Sequence, residues 1–104
     1  MKMVSIFIHQ VGNIKNIDMK FEDLEFKELS DFNGGVYCRI QFDNGFGASI
    51  VKHQYSYGGG DGLYEIAVLD SGGEITYTTP ITDDVLGYLS EEDVERYVNE
   101  IKNL

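Results

Sequence analysis

Cysteine, histidine, proline and basic residues are all scarce in this chain, and each scarcity closes off a class of explanation. Cys38 is the one cysteine among 104 residues, so no internal disulfide forms; with only His9 and His53 beside it, there is no Cys/His zinc set. A lone thiol fits a reducing compartment, and a cytoplasmic location is expected. A single proline, Pro80, and the absence of any Ser-rich linker, repeat or low-complexity tract leave nothing to divide the chain, so residues 1–104 are expected to form one domain. A domain of this size buries roughly two-thirds of its surface on folding without disulfides or a structural metal. Eight Lys and Arg face 18 Asp and Glu, for a net charge of −10. That balance argues against nucleic acid or an anionic membrane as a direct partner, because either adds repulsion. No apolar run approaches the roughly 18 residues of a membrane span. The apolar start, Met3 to Ile8, ends at His9-Gln10 without a small-residue cleavage site, so it reads as a buried strand rather than a signal peptide.

The acidity that is present is unevenly placed. Residues 1–52 hold 7 acids and 6 bases, whereas residues 53–104 hold 11 acids and 2 bases, so −9 of the −10 lies in the second half. Six of those acids, Asp83, Asp84, Glu91, Glu92, Asp93 and Glu95, fall within thirteen residues. Part of the cluster has a plain cause, since carboxylates in a first helical turn are favoured by about 0.3–1 kcal/mol each. Glu92 and Arg96 also stand in the favoured i,i+4 order.

Hydrophobic periodicity gives the fold. Val36, Cys38, Ile40 and Phe42 alternate with Tyr37, Arg39 and Gln41, the period of a half-buried strand. Asp43-Asn44-Gly45 is a hairpin turn signal, and Phe46, Ala48 and Ile50 continue the alternation on the return. Leu63 to Leu69 makes a third strand, with Tyr64, Ile66 and Val68 on one face. Asp70-Ser71-Gly72-Gly73 turns the chain into Glu74 to Thr78, a β-branched and aromatic run that reads as a fourth. Strands joined by turns alone pair antiparallel. Thr82 to Gly87 reads as a short helical turn, capped by Thr82 and closed by Gly87. A longer helix follows, with Ser90 as N-cap, Asp93 at N3, a staple between Leu89 and Val94, and an apolar stripe of Val94, Tyr97, Val98, Ile101 and Leu104. Residues 3–9 and 17–22 are expected as strands, and 23–32 fits either a strand or a helix. The predicted class is α+β: an antiparallel meander of four to six strands with the C-terminal α-helix packed on one face.

Few residues point to chemistry. His53 to Gly62 joins two strands with four glycines and two tyrosines, which reads as a flexible loop whose Tyr55, Tyr57 and Asp61 are exposed for contact. It lacks the Lys-Ser/Thr and the following helix of a phosphate cradle. His53 with Asp61 or Glu65 makes a formal acid–base pair, but no motif supplies a nucleophile. Cys38 lies on the apolar side of its strand, as a small buried hydrophobe rather than a reactive thiol. Asp83 and Asp84 lack the alternating oxygen ligands of a calcium loop. No enzymatic activity, cofactor or metal is therefore expected.

Phe42-Asp43-Asn44-Gly45-Phe46-Gly47-Ala48-Ser49-Ile50-Val51, Ser56-Tyr57-Gly58-Gly59, Gly62 to Leu69 and Thr79 to Leu89 together resemble a group of small phage and prophage proteins without assigned function. The likeness covers roughly residues 36–104 and transfers no catalytic residues, because its motifs are turns, strands and caps. It implies a phage or prophage origin and action inside a bacterial host, where small acidic proteins often bind and disable a host protein, including nucleases of CRISPR or restriction systems. The expected function is thus non-enzymatic binding of a host protein, with a basic nucleic-acid-binding protein as target. The expected contacts are Tyr55, Tyr57, Asp61, Asp83, Asp84, Glu91, Glu92 and Glu95. A small-ligand or nucleotide module on the 53–62 loop is the alternative, followed by a small hydrolase. The chain itself is expected as a monomer, or as a homodimer paired at a sheet edge.

Overall fold

Alternation of apolar and polar residues places Cys38, Ile40, Ala48, Ile50, Tyr64, Ile66 and Val68 on one side of a sheet, and the architecture follows from covering that side. The computed structural model describes residues 18–31 and 34–104. Among these residues there are five strands, β1 (Lys27–Glu28), β2 (Val36–Gln41), β3 (Gly47–Lys52), β4 (Tyr64–Leu69) and β5 (Leu86–Leu89), followed by helix α1 (Glu91–Lys102). The sheet runs β1-β2-β3-β4-β5, with every neighbouring pair antiparallel. Cys38 stands opposite Ile50, and Ile50 in turn opposite Ile66, so one apolar row crosses the three central strands. Val94, Val98 and Ile101 of α1 close over it and are fully buried. This is the expected α+β meander with a C-terminal helix on one face. The strand expected over residues 3–9 lies outside the described residues. Among the described residues no helix is long and apolar enough to cross a membrane.

Helix α1 starts where its cap dictates. The Ser90 hydroxyl accepts the Asp93 N–H at 3.1 Å while the Asp93 carboxylate accepts the Ser90 N–H at 3.1 Å, a reciprocal capping box. The Ser90 N–H, its hydroxyl and the nearby Arg96 guanidinium hold the Asp93 carboxyl below the usual carboxylate range. At the other end, the Asn44 side chain donates to the carbonyls of Ile101 (2.8 Å) and Lys102 (3.0 Å), so the β2–β3 turn closes the helix C-terminus. Within that turn only Gly45 takes positive φ, at +88°, leaving Asn44 free for this second task. Cys38 is buried as expected, and burial pushes its thiol pKa up.

Three local expectations are corrected. Of the strand expected over 17–22, the described residues 18–22 form none: residues 18–20 are irregular and Phe21–Asp23 is a 3-10 turn. Side chains satisfy this backbone where a ladder would have done so. Asn99 bonds both the N–H (2.7 Å) and the carbonyl (2.9 Å) of Met19, Asp23 accepts the Lys20 N–H, and Glu95 accepts the Phe21 N–H. Phe21 is thereby held against Phe26 and Tyr64, all three ring pairs at 5.5 Å between centroids. The open stretch 23–32 contributes the two-residue edge strand β1.

Residues 74–78 are not a strand either, making only a bridge from Leu69 to Ile75. The Asp70 carboxylate takes the N–H groups of both Gly72 and Glu74, and beyond this turn Ile75 and Tyr77 stay exposed. The place beside β4 goes instead to β5, whose Leu86 and Leu89 pack on the core. Residues 82–87 accordingly form no helical turn. The Thr82 hydroxyl does accept the Asp84 N–H (3.0 Å), but the chain then extends into the sheet. Asp83 and Asp84 therefore belong to a loop before a strand, and Gly87 lies within that strand.

Candidate functional site

The β3–β4 loop is a turn closed by its own hydrogen bonds. The Ser56 hydroxyl accepts the His53 N–H and donates to the His53 carbonyl, both at 2.9 Å, and Ser56 is buried. The Gly59, Asp61 and Gly62 N–H groups donate to the carbonyls of Ser56, Gly58 and Gly59, each at 3.0 Å, and the Leu63 N–H donates to Gly58. These donors are spent inside the loop, so it offers no ready nest for an anion. His53 Nδ1 accepts the Tyr55 N–H (3.1 Å) and Glu65 accepts the Tyr57 N–H (2.8 Å), so both groups hold loop backbone. Asp61 is exposed on the closing turn.

This loop rests against β5. The Tyr88 N–H donates to the Tyr57 carbonyl at 3.0 Å. A Cβ at Gly58 would stand 2.8 Å from the Tyr88 Cα, and one at Gly87 would collide with the Tyr57 side chain, so both approaches require glycine. The contact sits at a β-bulge. Tyr64 pairs with Leu89 and Ile66 with Leu86, so three steps on β5 oppose two on β4. Tyr88 takes φ +57° there and is the one non-glycine residue at positive φ among those described. The residue is nonetheless 62% exposed, and Tyr57, which its N–H touches, is 59% exposed; Tyr55 of the same loop is 74% exposed. Left-handed backbone costs a residue with a Cβ about 1–2 kcal/mol, which an exposed ring does little to offset. Tyr88→Gly is therefore expected to keep or raise stability, by up to about 1 kcal/mol after glycine's own entropy, as read from urea midpoints at constant m.

The acids divide into two groups. Asp93 is committed to the cap and lies 3.4 Å from Arg96, while Glu95 anchors Phe21. Arg96, expected opposite Glu92, reaches Asp93 and Glu100 instead. Asp83, Asp84, Glu91 and Glu92 are exposed, and among the described residues no hydrogen bond or ion pair engages their carboxylates. They flank β5 in the chain, two before it and two after, with Tyr88 between. From residue 53 to residue 95 there are ten acids and no Lys or Arg, a gap in the basic residues that the half-by-half charge count passes over. Of the eight expected contacts, the fold brings Tyr55, Tyr57 and Asp61 into one loop and sets that loop on β5. Asp83, Asp84, Glu91 and Glu92 sit at the two ends of that strand, and Glu95 serves the fold. Tyr88 is the residue missed, because a left-handed tyrosine has no signature in the sequence.

Elsewhere, an open groove runs between Asp18, Ile81 and the Glu92, Glu95, Arg96 and Asn99 side of α1. Two of its walls, Glu95 and Asn99, are the anchors of residues 19–21. Among the described residues no group of three or more His, Cys, Asp or Glu is arranged to hold a metal ion. No protein-family model, curated protein or solved structure matches the chain.

Proposed function

We propose that this chain is a non-enzymatic acidic protein that binds a basic surface of another protein. In this reading it is a phage- or prophage-encoded inhibitor of a bacterial defence nuclease, of anti-CRISPR or anti-restriction type, acting in the host cytoplasm. The observation that carries the reading is the set of exposed, uncommitted carboxylates at Asp83, Asp84, Glu91 and Glu92 on a chain of net charge −10. Such a surface occupies a basic groove by the same long-range attraction that draws nucleic acid into it, which speeds association and makes it sensitive to salt. The commitment of His53 and Glu65 to loop backbone supports binding over acid–base chemistry. The internal use of the loop's N–H groups weighs against a nucleotide module there.

The test is DNA cleavage by a panel of purified CRISPR and restriction nucleases with the chain added. Inhibition is expected for at least one nuclease and falls tenfold or more when Asp83→Asn, Asp84→Asn, Glu91→Gln and Glu92→Gln are combined. Cleavage that proceeds unchanged across the panel contradicts the inhibitor role. Inhibition equally strong with the neutralised variant removes the acidic surface from the contact.

A further inference from the structure

Tyr57 and Tyr88 hold each other through backbone, with a glycine on either side admitting the approach, and both residues are largely exposed. This is an exposed aromatic edge held by backbone contacts, at the one bulge in the β4–β5 pairing. Bulges at sheet edges re-aim side chains, and here the bulge turns a tyrosine outward. Tyr57 and Tyr88 are each more than half exposed.

We propose that this edge takes an arginine-rich segment of a partner protein, with guanidinium groups stacked on Tyr57 and Tyr88 and paired with the flanking carboxylates. The inference rests on the acidic-surface reading above and adds the chemistry of the contact. Charge selects the occupant. Residues 53–95 contain no Lys or Arg, Asp83 and Asp84 precede β5, and Glu91 and Glu92 follow it. A second copy of this chain, at −10, is repelled, and so is nucleic acid. Between the two protein cations, the combination of aromatic faces with carboxylates favours arginine. Its guanidinium is planar and weakly hydrated, stacks on rings and pairs with carboxylates in two-pronged fashion, whereas a lysine ammonium acts as a strongly hydrated point charge. The acids alone attract both cations; the tyrosines separate them.

The experiment is an anisotropy titration of the full chain with fluorescein-labelled twelve-residue peptides of alternating Gly-Arg or Gly-Lys. The wild type is expected to bind the arginine peptide at least fivefold more tightly than the lysine peptide. Tyr57→Ala combined with Tyr88→Gly is expected to abolish that preference while retaining the salt dependence. Neutralising Asp83, Asp84, Glu91 and Glu92 is expected to weaken both peptides together and flatten the salt dependence. A thermal melt of each variant separates loss of contact from loss of fold, and Tyr88→Gly alone, native-like at φ +57°, gives the aromatic result on an unstrained backbone. Equal, salt-sensitive binding of both peptides to the wild type overturns the arginine inference and leaves the acidic-surface reading standing. An arginine preference that survives removal of both rings overturns the role of the edge. Binding of neither peptide overturns both the inference and the reading it rests on.

Discussion

Gly59→Ala destabilises the domain by about 3 kcal/mol, whereas Gly60→Ala, one residue on, leaves it unchanged or slightly stabilised. The contrast comes from what an added methyl meets. At Gly59 a Cβ would collide with the carbonyl of His53 and the hydroxyl of Ser56. That carbonyl already accepts from the Ser56 N–H and hydroxyl, and the hydroxyl accepts the His53 N–H, so nothing there moves as a free rotamer. Overpacking against fixed backbone lies at the upper end of the usual 1–3 kcal/mol. At Gly60 a Cβ would meet nothing within 4 Å, and alanine's smaller unfolded-state entropy contributes about 0.4–1 kcal/mol in its favour. Urea midpoints of the two variants measure the difference. Near-equal midpoints would mean that the loop opens easily, and with it the placement of Tyr57 against Tyr88.

Ile66→Ala is expected to cost about 4 kcal/mol, and to lower the melting temperature by roughly 15–25 °C for a domain of this length. Ile66 is fully buried at the middle of β4, opposite Ile50 on β3 and Leu86 on β5, in the core that α1 closes. Truncation there leaves a cavity bounded by three strands and a helix, which has little freedom to collapse. The loss is a large part of the 5–15 kcal/mol that holds an ordinary domain together. A fall of only a few degrees in calorimetry would show that the core repacks, contrary to a tightly registered sheet.

What the sequence made legible was whatever depends on neighbours in the chain. The Ser90–Asp93 cap, the Val94, Val98 and Ile101 stripe and the alternation across β2, β3 and β4 are local patterns, and each forms as read. The expectations that failed depend on competition for distant partners. Glu74 to Thr78 has the composition of a strand, but the place beside β4 belongs to β5, and Ile75 and Tyr77 stay exposed. Thr82 to Gly87 carries helix punctuation, yet Leu86 and Leu89 gain more by packing on the sheet than a short turn gains from its cap. Residues 19–21 lose strand geometry because Asn99 and Glu95, more than seventy residues away, supply their hydrogen bonds. The same limit applies at the site. Exposure of Tyr55 and Tyr57 was readable from a glycine-rich loop, whereas the seating of that loop on β5 was not. Gly58 and Gly87 were visible as glycines, but what they make room for was not. The acidity changes meaning too: Asp93 and Glu95 serve the fold, and four other carboxylates remain on offer.

The most direct measurement is capture from a bacterial lysate by the immobilised wild-type chain and by a charge-reversed form, with Asp83, Asp84, Glu91 and Glu92 all changed to Lys. Both are run at roughly 50 mM and 300 mM salt, where the screening length falls from about 14 Å to about 6 Å. The predicted result is a basic protein held by the wild type at low salt, released at high salt, and missing from the charge-reversed form at both. The same proteins retained by both forms, at both salt concentrations, would contradict the acidic face as the site of contact.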